Sequence, residues 1–389
     1  MPFYRAVGEL PRKRHIVFRS PEGGIYAEEL MGEEGFSSDS SLLYHRFLPT
    51  AIVKSEPAID PLTEAEFTPN LPLAPRHFRT TELKTGGDLV GGRGLLAANN
   101  DVRLSFAAAD RPSELYRNSV GDETVYVQSG TVRFESTYGV IQAGEGDYVN
   151  VPTGTIHRWV PDGHVTALVI EATGHIRPPK RYLSQYGQFL EHAPYCERDL
   201  RGPTGPLVID GPEAEAATPV LVRTRGGLTR MTFAHHPFDV VGWDGYLYPY
   251  AFNIGDFEPI VKKTHAPPPV HQTFEGPNFV ICSFCPRPLD FHDDAVPIPY
   301  NHHNVDSDEF MYYVAGNYAA RKGSGIDIGS ISLHPAGFTH GPQPGAVEAA
   351  LGAERTTETA VMIDTFRPLD IGPAGRECED SGYAWTWAR

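Results

Sequence analysis

An internal repeat constrains the fold of this 389-residue chain more than any other feature of its sequence. Two segments, residues 115–159 and 301–342, carry the same order of Glu, Gly, Pro and His. In each segment a glutamate stands seven positions before a glycine, and the two pairs are Glu123 with Gly130 and Glu309 with Gly316. A later stretch of each reads Gly, five residues, Pro-x-Gly-x-x-His, from Gly146 to His157 and from Gly329 to His340. The repeat indicates two structural units of related shape.

The spacing within each segment predicts strands that are connected by tight turns. The stretch ETVYVQSGTVRFES at 123–136 alternates in the period of a half-buried strand. Glycine permits the turn that follows, and a Pro-x-Gly turn then leads to the histidine. The chain also holds 39 glycines and 35 prolines, more than a helical protein tolerates. The predicted fold class is therefore all-β, with two small jelly rolls or β-barrels and few short helices.

A proline-rich, charged stretch divides the chain. It reads HIRPPKRYLSQYGQFLEHAPYCERDLRGPTGPL at 175–207, and we interpret it as a linker. The first barrel is predicted at 101–174 and the second at 208–389, with residues 1–100 as a strand-rich segment that packs on the first barrel. The aromatic tail RECEDSGYAWTWAR is expected to dock on a neighbouring subunit.

Charge and cysteine content exclude several classes of function. The 33 basic and 49 acidic residues give a formal net charge of −16, which disfavours nucleic acid and anionic lipid as partners. No apolar run is long enough to predict a membrane-spanning helix, and no apolar stretch typical of a secretory signal follows the first residues. Cys282 and Cys285 form C-x-x-C without a second pair, so we interpret them as buried strand residues. A cytoplasmic location is expected.

The stretch PYNHHNVDSDEF at 299–310 contains two adjacent histidines, which cannot face the same side of a strand. An ungapped alignment of the two repeat segments on their glutamates places Tyr116 of the first opposite His302 of the second. His302 and Asn304 then share one strand face, whereas His303 points the other way. His302 is therefore the predicted metal ligand, and His303 is the alternative if a bulge shifts the register.

The second segment offers a set of metal ligands: His302, Glu309 and His340. Two imidazoles and one carboxylate leave coordination positions open, as in non-haem Fe(II) enzymes that activate oxygen, although zinc and manganese accept the same set. The first segment keeps Glu123 and His157 but has Tyr116 in place of the first histidine. The first barrel is therefore predicted to be metal-free. His235, His236 and His265 are interpreted as bystanders.

The two motifs resemble those of the cupin superfamily, and a chain with both copies resembles a bicupin. Over almost its whole length the chain also resembles the homogentisate 1,2-dioxygenases. The similar stretches are IYAEELMGEEGF and LLYHRFLP near the start, PFDVVGWDGYLYPYAFNIGDFEPI in the middle, and PYNHHN, EFM, GNY, SLH, HGP and DTFRPL in that order towards the end.

The resemblance implies a reaction and a quaternary state. Family members use a mononuclear Fe(II) to open an aromatic ring with both atoms of O2, turning homogentisate into maleylacetoacetate in tyrosine and phenylalanine breakdown. It also implies a small aromatic acid as substrate and a homo-oligomer, a trimer or hexamer. Gentisate or a substituted hydroquinone is an alternative substrate. A zinc or manganese isomerase or decarboxylase, or a bicupin that binds a small molecule without catalysis, are alternative functions.

The resemblance also implies roles for individual residues: His302, Glu309 and His340 as iron ligands, His271 as general base, and Tyr318, His334 and His340 on the substrate side. The chain departs from the family at His302-His303-Asn304, where the family has His-Arg-Asn with one residue fewer before the glutamate. The stretch between His271 and His302 is also shorter than in typical members. These segments border the expected pocket, so they bear on which aromatic acid is cleaved.

Overall fold

Antiparallel strands make up most of the regular structure. The computed structural model describes residues 3–59, 66–261, 268–289 and 292–388. Only two short α-helices occur in these ranges, so the all-β prediction is confirmed. No helix in the described ranges is long and apolar enough to cross a membrane.

The first half of the chain contributes the strands β1 (Arg5–Gly8), β2 (Ala27–Gly32), β3 (Ser40–His45), β4 (Ile52–Ala58), β5 (Arg76–Arg79), β6 (Gly94–Ala98), β7 (Val102–Ala109), β8 (Tyr116–Asn118), β9 (Glu123–Ser136), β10 (Gly139–Ala143), β11 (Asp147–Val151) and β12 (His157–Ala172). The second half contributes β13 (Thr218–Thr224), β14 (Gly227–Phe233), β15 (Val240–Gly245), β16 (Tyr250–Asn253), β17 (Gln272–Gly276), β18 (Phe279–Phe284), β19 (Arg287–Pro288), β20 (Asp308–Ala315), β21 (Ser330–His334), β22 (Arg355–Thr356), β23 (Thr359–Thr365) and β24 (Asp370–Ile371). The α-helices are α1 (Ala346–Ala350) and α2 (Pro373–Glu377). Single turns of 3-10 helix lie at Glu34–Phe36, Thr80–Glu82, Lys180–Tyr182, Glu197–Asp199, Gly211–Glu213, Ile254–Asp256, Pro268–His271 and Ala319–Arg321, and a longer one at Tyr383–Ala388.

The first repeat segment builds the centre of a 12-stranded sheet. The predicted strand at 123–136 is β9, which pairs with β12 along almost its whole length and with β11 on its other side. Both faces of the first part of β9 are buried, because Val125 and Val127 pack inside the barrel, whereas Tyr126 joins the large core shared with the second half. Burial on both faces explains why these three apolar residues follow one another without a polar residue between them.

The second repeat segment lies in a six-stranded sheet with the order β17-β18-β23-β20-β21-β5. Along β20, Phe310 and Tyr312 face the shared core, and Met311 and Tyr313 face the opposite side together with Cys282 of β18. Cys282 and Cys285 are both buried free thiols, as the C-x-x-C interpretation expected.

Strand pairing crosses the predicted boundaries. The strand β5, from the segment expected to pack on the first barrel, pairs with β21 in the six-stranded sheet. In the other direction β13 pairs with β8 and β16 pairs with β11, so residues after 208 complete the first sheet. Strands from both sides of residue 208 therefore occur in both sheets, which the composition of a linker does not indicate.

The repeated glycines have the same unusual backbone conformation. Gly130 within β9 has φ of +81° and Gly316 directly after β20 has φ of +90°, in the left-handed region that favours glycine. A Cβ atom on Gly130 would lie 2.3 Å from the carbonyl oxygen of His164, and one on Gly316 would lie 1.8 Å from that of Thr357. Only glycine fits such close approaches of two backbones, which explains why the repeat preserves it.

Candidate metal centre

Three of the predicted ligands converge at one end of the second barrel. The Nε2 atoms of His302 and His340 each lie 3.7 Å from Oε2 of Glu309. One ligand atom from each of the three residues lies within 4.8 Å of the other two. Glu309 sits on β20, and the backbones of His302 and His340 bond to each other in both directions at 2.8 and 2.9 Å. The Pro-x-Gly turn after β21 thus brings the second histidine back beside the first.

Backbone hydrogen bonds fix how both imidazoles point. Nδ1 of His302 lies 2.9 Å from the carbonyl oxygen of Tyr300, and Nδ1 of His340 lies 3.2 Å from that of Phe338. A carbonyl can only accept, so Nδ1 carries the proton, and Nε2 of the neutral ring presents its lone pair towards Glu309. Nε2 of His340 is buried without a hydrogen-bond partner. A buried acceptor left in this state is costly, and a metal ion would satisfy it.

The structure directs His302, and not His303, towards Glu309. The side chain of His303 is exposed, and its Nδ1 lies 3.3 Å from Oγ1 of Thr339, outside the cluster. The face assignment derived from the repeat alignment therefore matches the geometry.

A buried histidine holds the second oxygen of the carboxylate. Nδ1 of His334 lies 2.8 Å from Oε1 of Glu309, and its Nε2 lies 2.9 Å from Oη of Tyr383. Burial lowers the pKa of His334 to about 3, with the Arg321 charge acting in the same direction. Burial alone would raise the pKa of Glu309, but the imidazoles of His302, His334 and His340 around its carboxylate hold it well below its usual value. The centre therefore contains an ionised carboxylate with neutral His334 behind it.

His271 and Tyr318 lie elsewhere on the same side of the sheet. The ring of His271 stacks on the ring of Phe284, with 4.3 Å between their centres. Phe284 belongs to a row of paired strand residues that lies about 13 Å along the strands from the row of Glu309. Burial lowers the pKa of His271 to about 3. The ring of Tyr318 packs on Tyr313 at 4.8 Å. Within the described ranges, no hydrogen bond, ion pair or ring contact joins either residue to the three converging side chains.

Sequence reasoning missed two ionisable groups at the centre. Asp364 on β23 lies directly across the sheet from Glu309, and burial together with the Glu309 charge raises its pKa to about 8. Arg321 is buried, and its guanidinium donates to the carbonyl oxygen of Gly341 at 2.7 Å and to Oη of Tyr313 at 3.1 Å. Alternation along β23 could have placed Asp364 on this face, but no local pattern indicated Arg321.

In the first barrel a guanidinium lies against the equivalent glutamate. Nη1 and Nη2 of Arg93 lie 3.1 and 2.8 Å from the two oxygens of Glu123, and Oη of Tyr116 donates to the same carboxylate at 2.9 Å. Burial would raise the pKa of Glu123, but the Arg93 charge outweighs it and lowers the pKa to about 2. His157 repeats the ring orientation of His340, with Nδ1 bonded to the carbonyl oxygen two residues earlier. Arg93 supplies the positive charge that a metal ion would bring to Glu123. That the first barrel binds no metal stays a prediction.

In a second group of possible metal ligands, neighbouring residues of the protein already compensate the charges. Glu33, Asp122 and His175 also come within 4.8 Å of one another. However, Glu33 pairs with Arg177, and Asp122 accepts hydrogen bonds from the backbone nitrogens of residues 153 and 176 at 2.8 and 2.9 Å. The hydrogen bond to Asp122 raises the pKa of His175. We interpret this group as a balanced ion-pair network that joins the N-terminal segment to the linker.

The histidines interpreted as bystanders lie away from the centre where they are described. His235 stacks on Phe47 at 4.1 Å, and Nδ1 of His236 accepts a hydrogen bond from the backbone of Phe238 at 3.0 Å. His265 lies outside the described residues.

Comparison with known proteins identifies the family of the chain. Residues 258–389 match the family described as "Homogentisate 1,2-dioxygenase C-terminal". A protein of Saccharolobus solfataricus named "Putative dioxygenase" is 38% identical and covers 100% of this chain and 99% of its own. Homogentisate 1,2-dioxygenase of Emericella nidulans is 27% identical over 89% of this chain and 81% of its own. A solved cupin 2 conserved barrel domain protein of Leptotrichia buccalis is 10% identical over 75% of this chain and 96% of its own, with a TM-score of 0.32. The chain therefore belongs to the homogentisate 1,2-dioxygenase family.

Proposed function

We propose that this protein is an Fe(II)-dependent dioxygenase that opens the ring of a dihydroxyaromatic acid, with homogentisate as substrate and maleylacetoacetate as product. One observation carries the proposal: the Nε2 atoms of His302 and His340 both face the same oxygen of Glu309, at 3.7 Å. Two imidazoles and a carboxylate leave coordination positions free for two reactants. Bound iron would supply the redox chemistry that allows O2 to react with the ring.

The surrounding residues suit a flat, anionic substrate. On the face of the sheet that carries Glu309, the next row of side chains is apolar and consists of Met311, Met362 and Cys282. An aromatic ring can pack on such a surface, and thioethers make favourable contacts with rings. The buried guanidinium of Arg321 lies close to the centre, and within the described ranges no carboxylate is within ion-pair distance of it. Its charge is therefore available to pair with the acid group of a substrate.

The proposal also gives roles to His271, as general base, and to Tyr318, as a contact of the substrate. A general base must come within hydrogen-bond reach of the proton it removes. His271 lies beside Phe284, and a pKa of about 3 makes its imidazole a weak proton acceptor at neutral pH. Tyr318 is buried among Met311, Met362 and Tyr313, closer to the expected position of the ring.

Oxygen uptake by the iron-loaded protein tests the proposed function. We expect one O2 consumed per homogentisate, and no uptake by the same protein loaded with zinc, because zinc has no redox chemistry. Gentisate and hydroquinone identify the substrate: uptake with either and not with homogentisate would keep ring cleavage and correct the substrate. Iron-loaded protein that consumes no oxygen with any of the three compounds would contradict the proposal.

Replacing each of the adjacent histidines tests the register of the ligands. We expect His302→Ala to weaken Fe(II) binding by more than about 100-fold, because losing a metal ligand should cost more affinity than losing a residue that only orients a ligand. His303→Ala is the matched control and should change the affinity by less than about twofold, since its side chain is exposed and lies outside the cluster. Equilibrium titration of the metal-free proteins measures both values. The reverse order of effects would assign the ligand to His303.

A further inference from the structure

The C-terminal 3-10 helix, Tyr383–Ala388, packs against the back of the candidate metal centre. Tyr383 is fully buried, and its ring lies 5.2 Å from that of Trp387 and 6.1 Å from that of His334. The indole nitrogen of Trp387 donates at 3.1 Å to the carbonyl oxygen of Gly341, the residue after His340. The tail therefore contacts the centre of its own chain, where the sequence suggested docking on a neighbour.

Hydrogen bonds connect this tail to Glu309 through one histidine. Nδ1 of His334 lies 2.8 Å from Oε1 of Glu309, and Nε2 of His334 lies 2.9 Å from Oη of Tyr383. An ionised carboxylate can only accept, so Nδ1 of His334 donates to it. In a neutral imidazole Nε2 must then accept, and the hydroxyl of Tyr383 donates. The order of donors and acceptors is fixed along the whole connection.

We propose that Tyr383 is a positioning residue of the metal centre, which acts through His334 to hold the carboxylate of Glu309 in the orientation that binds metal. The inference depends on the proposed role of Glu309 as a ligand. With Oε1 bound to His334, Oε2 is the oxygen directed at both His302 and His340. Without the hydroxyl of Tyr383, Nε2 of His334 would be a buried acceptor without a partner, and the imidazole could change tautomer or rotate. Either change would free Glu309 to turn away from the two histidines.

Tyr383→Phe tests the inference because it removes one hydroxyl and keeps the ring. Co(II) is a suitable probe since it binds the same ligand types without oxygen chemistry and has visible absorption bands that report coordination geometry. We expect the variant to bind Co(II) roughly 10- to 100-fold more weakly than the wild type, with altered bands. The metal-free variant should unfold at nearly the wild-type temperature. Trp385→Phe, in the same helix with 63% of Trp385 exposed, is the matched control and should leave affinity and spectrum unchanged.

A double variant separates positioning through His334 from a general structural effect. If Tyr383 acts only through His334, Tyr383→Phe should weaken Co(II) binding no further in a His334→Ala background. Additive losses would overturn the inference, and so would a Tyr383→Phe protein with the affinity and spectrum of the wild type. A wild-type protein that bound no Co(II) or Fe(II) would overturn the metal centre itself, which is a distinguishable result.

Discussion

His340→Ala should give a folded protein that retains no metal and consumes no oxygen. The substitution removes one of the three proposed ligands, whose position is set by the backbone pairing with His302 and by the bond from its Nδ1 to the carbonyl oxygen of Phe338. For the wild type, Fe(II) at 100 times its dissociation constant should raise the free energy of unfolding by about 2.7 kcal/mol. The same iron concentration should leave the unfolding of the variant unchanged. Metal analysis after desalting and thermal unfolding with and without iron measure both effects.

The first barrel provides a matched control for this variant. His157 occupies the same motif position and has the same ring orientation, but its glutamate is paired with Arg93. His157→Gln should therefore keep the wild-type iron content, even if its stability changes. Iron content and turnover at wild-type levels in His340→Ala would show that the ligand assignment is wrong.

Arg93→Met should destabilise the protein by about 3–5 kcal/mol, the usual result of removing one partner from a buried ion pair. The guanidinium lies 2.8 Å from Glu123 and 3.2 Å from Glu171, and the side chains of all three residues are at most 4% exposed. Without Arg93, two buried carboxylates would lose their common counter-charge. The free energy of unfolding from urea titration measures the loss.

The control is an arginine at the surface. Arg230→Met breaks a pair with Glu114 in which the side chains are 34% and 56% exposed, and it should cost less than about 1 kcal/mol. Adding Glu123→Gln to Arg93→Met should recover part of the lost stability, because one uncompensated charge is removed. A loss below about 1 kcal/mol in Arg93→Met alone would mean that Glu123 is neutral or reached by water.

Local spacing predicted what depends on local geometry. The strand β9 and the turn at Gly316 follow from alternation and from the conformational freedom of glycine. The choice of His302 over His303 followed from the two-residue period of a strand. These properties are determined within a few residues of chain, so the sequence is sufficient to derive them.

Compensation of buried charge could not be predicted in the same way. Arg93 precedes Glu123 by 30 residues, and Tyr383 follows His334 by 49, with no motif that relates the members of either pair. An arginine or tyrosine in an apolar sequence is compatible with many partners until strand pairing is known. The resemblance to a family was also less informative about His271. Its proposed role as general base requires a position near the substrate, and the contacts in the described ranges do not place it beside the three converging side chains.

The placement of β5 in the six-stranded sheet has a consequence for biosynthesis. The strand leaves the ribosome roughly 250 residues before β21, the strand with which it pairs. At about 5–20 residues per second this means a delay on the order of 10–50 s. During that interval its backbone donors and acceptors have no native partner, and an unpaired strand edge is open to wrong associations. Nascent chains of this protein should therefore depend on chaperones until translation is nearly complete.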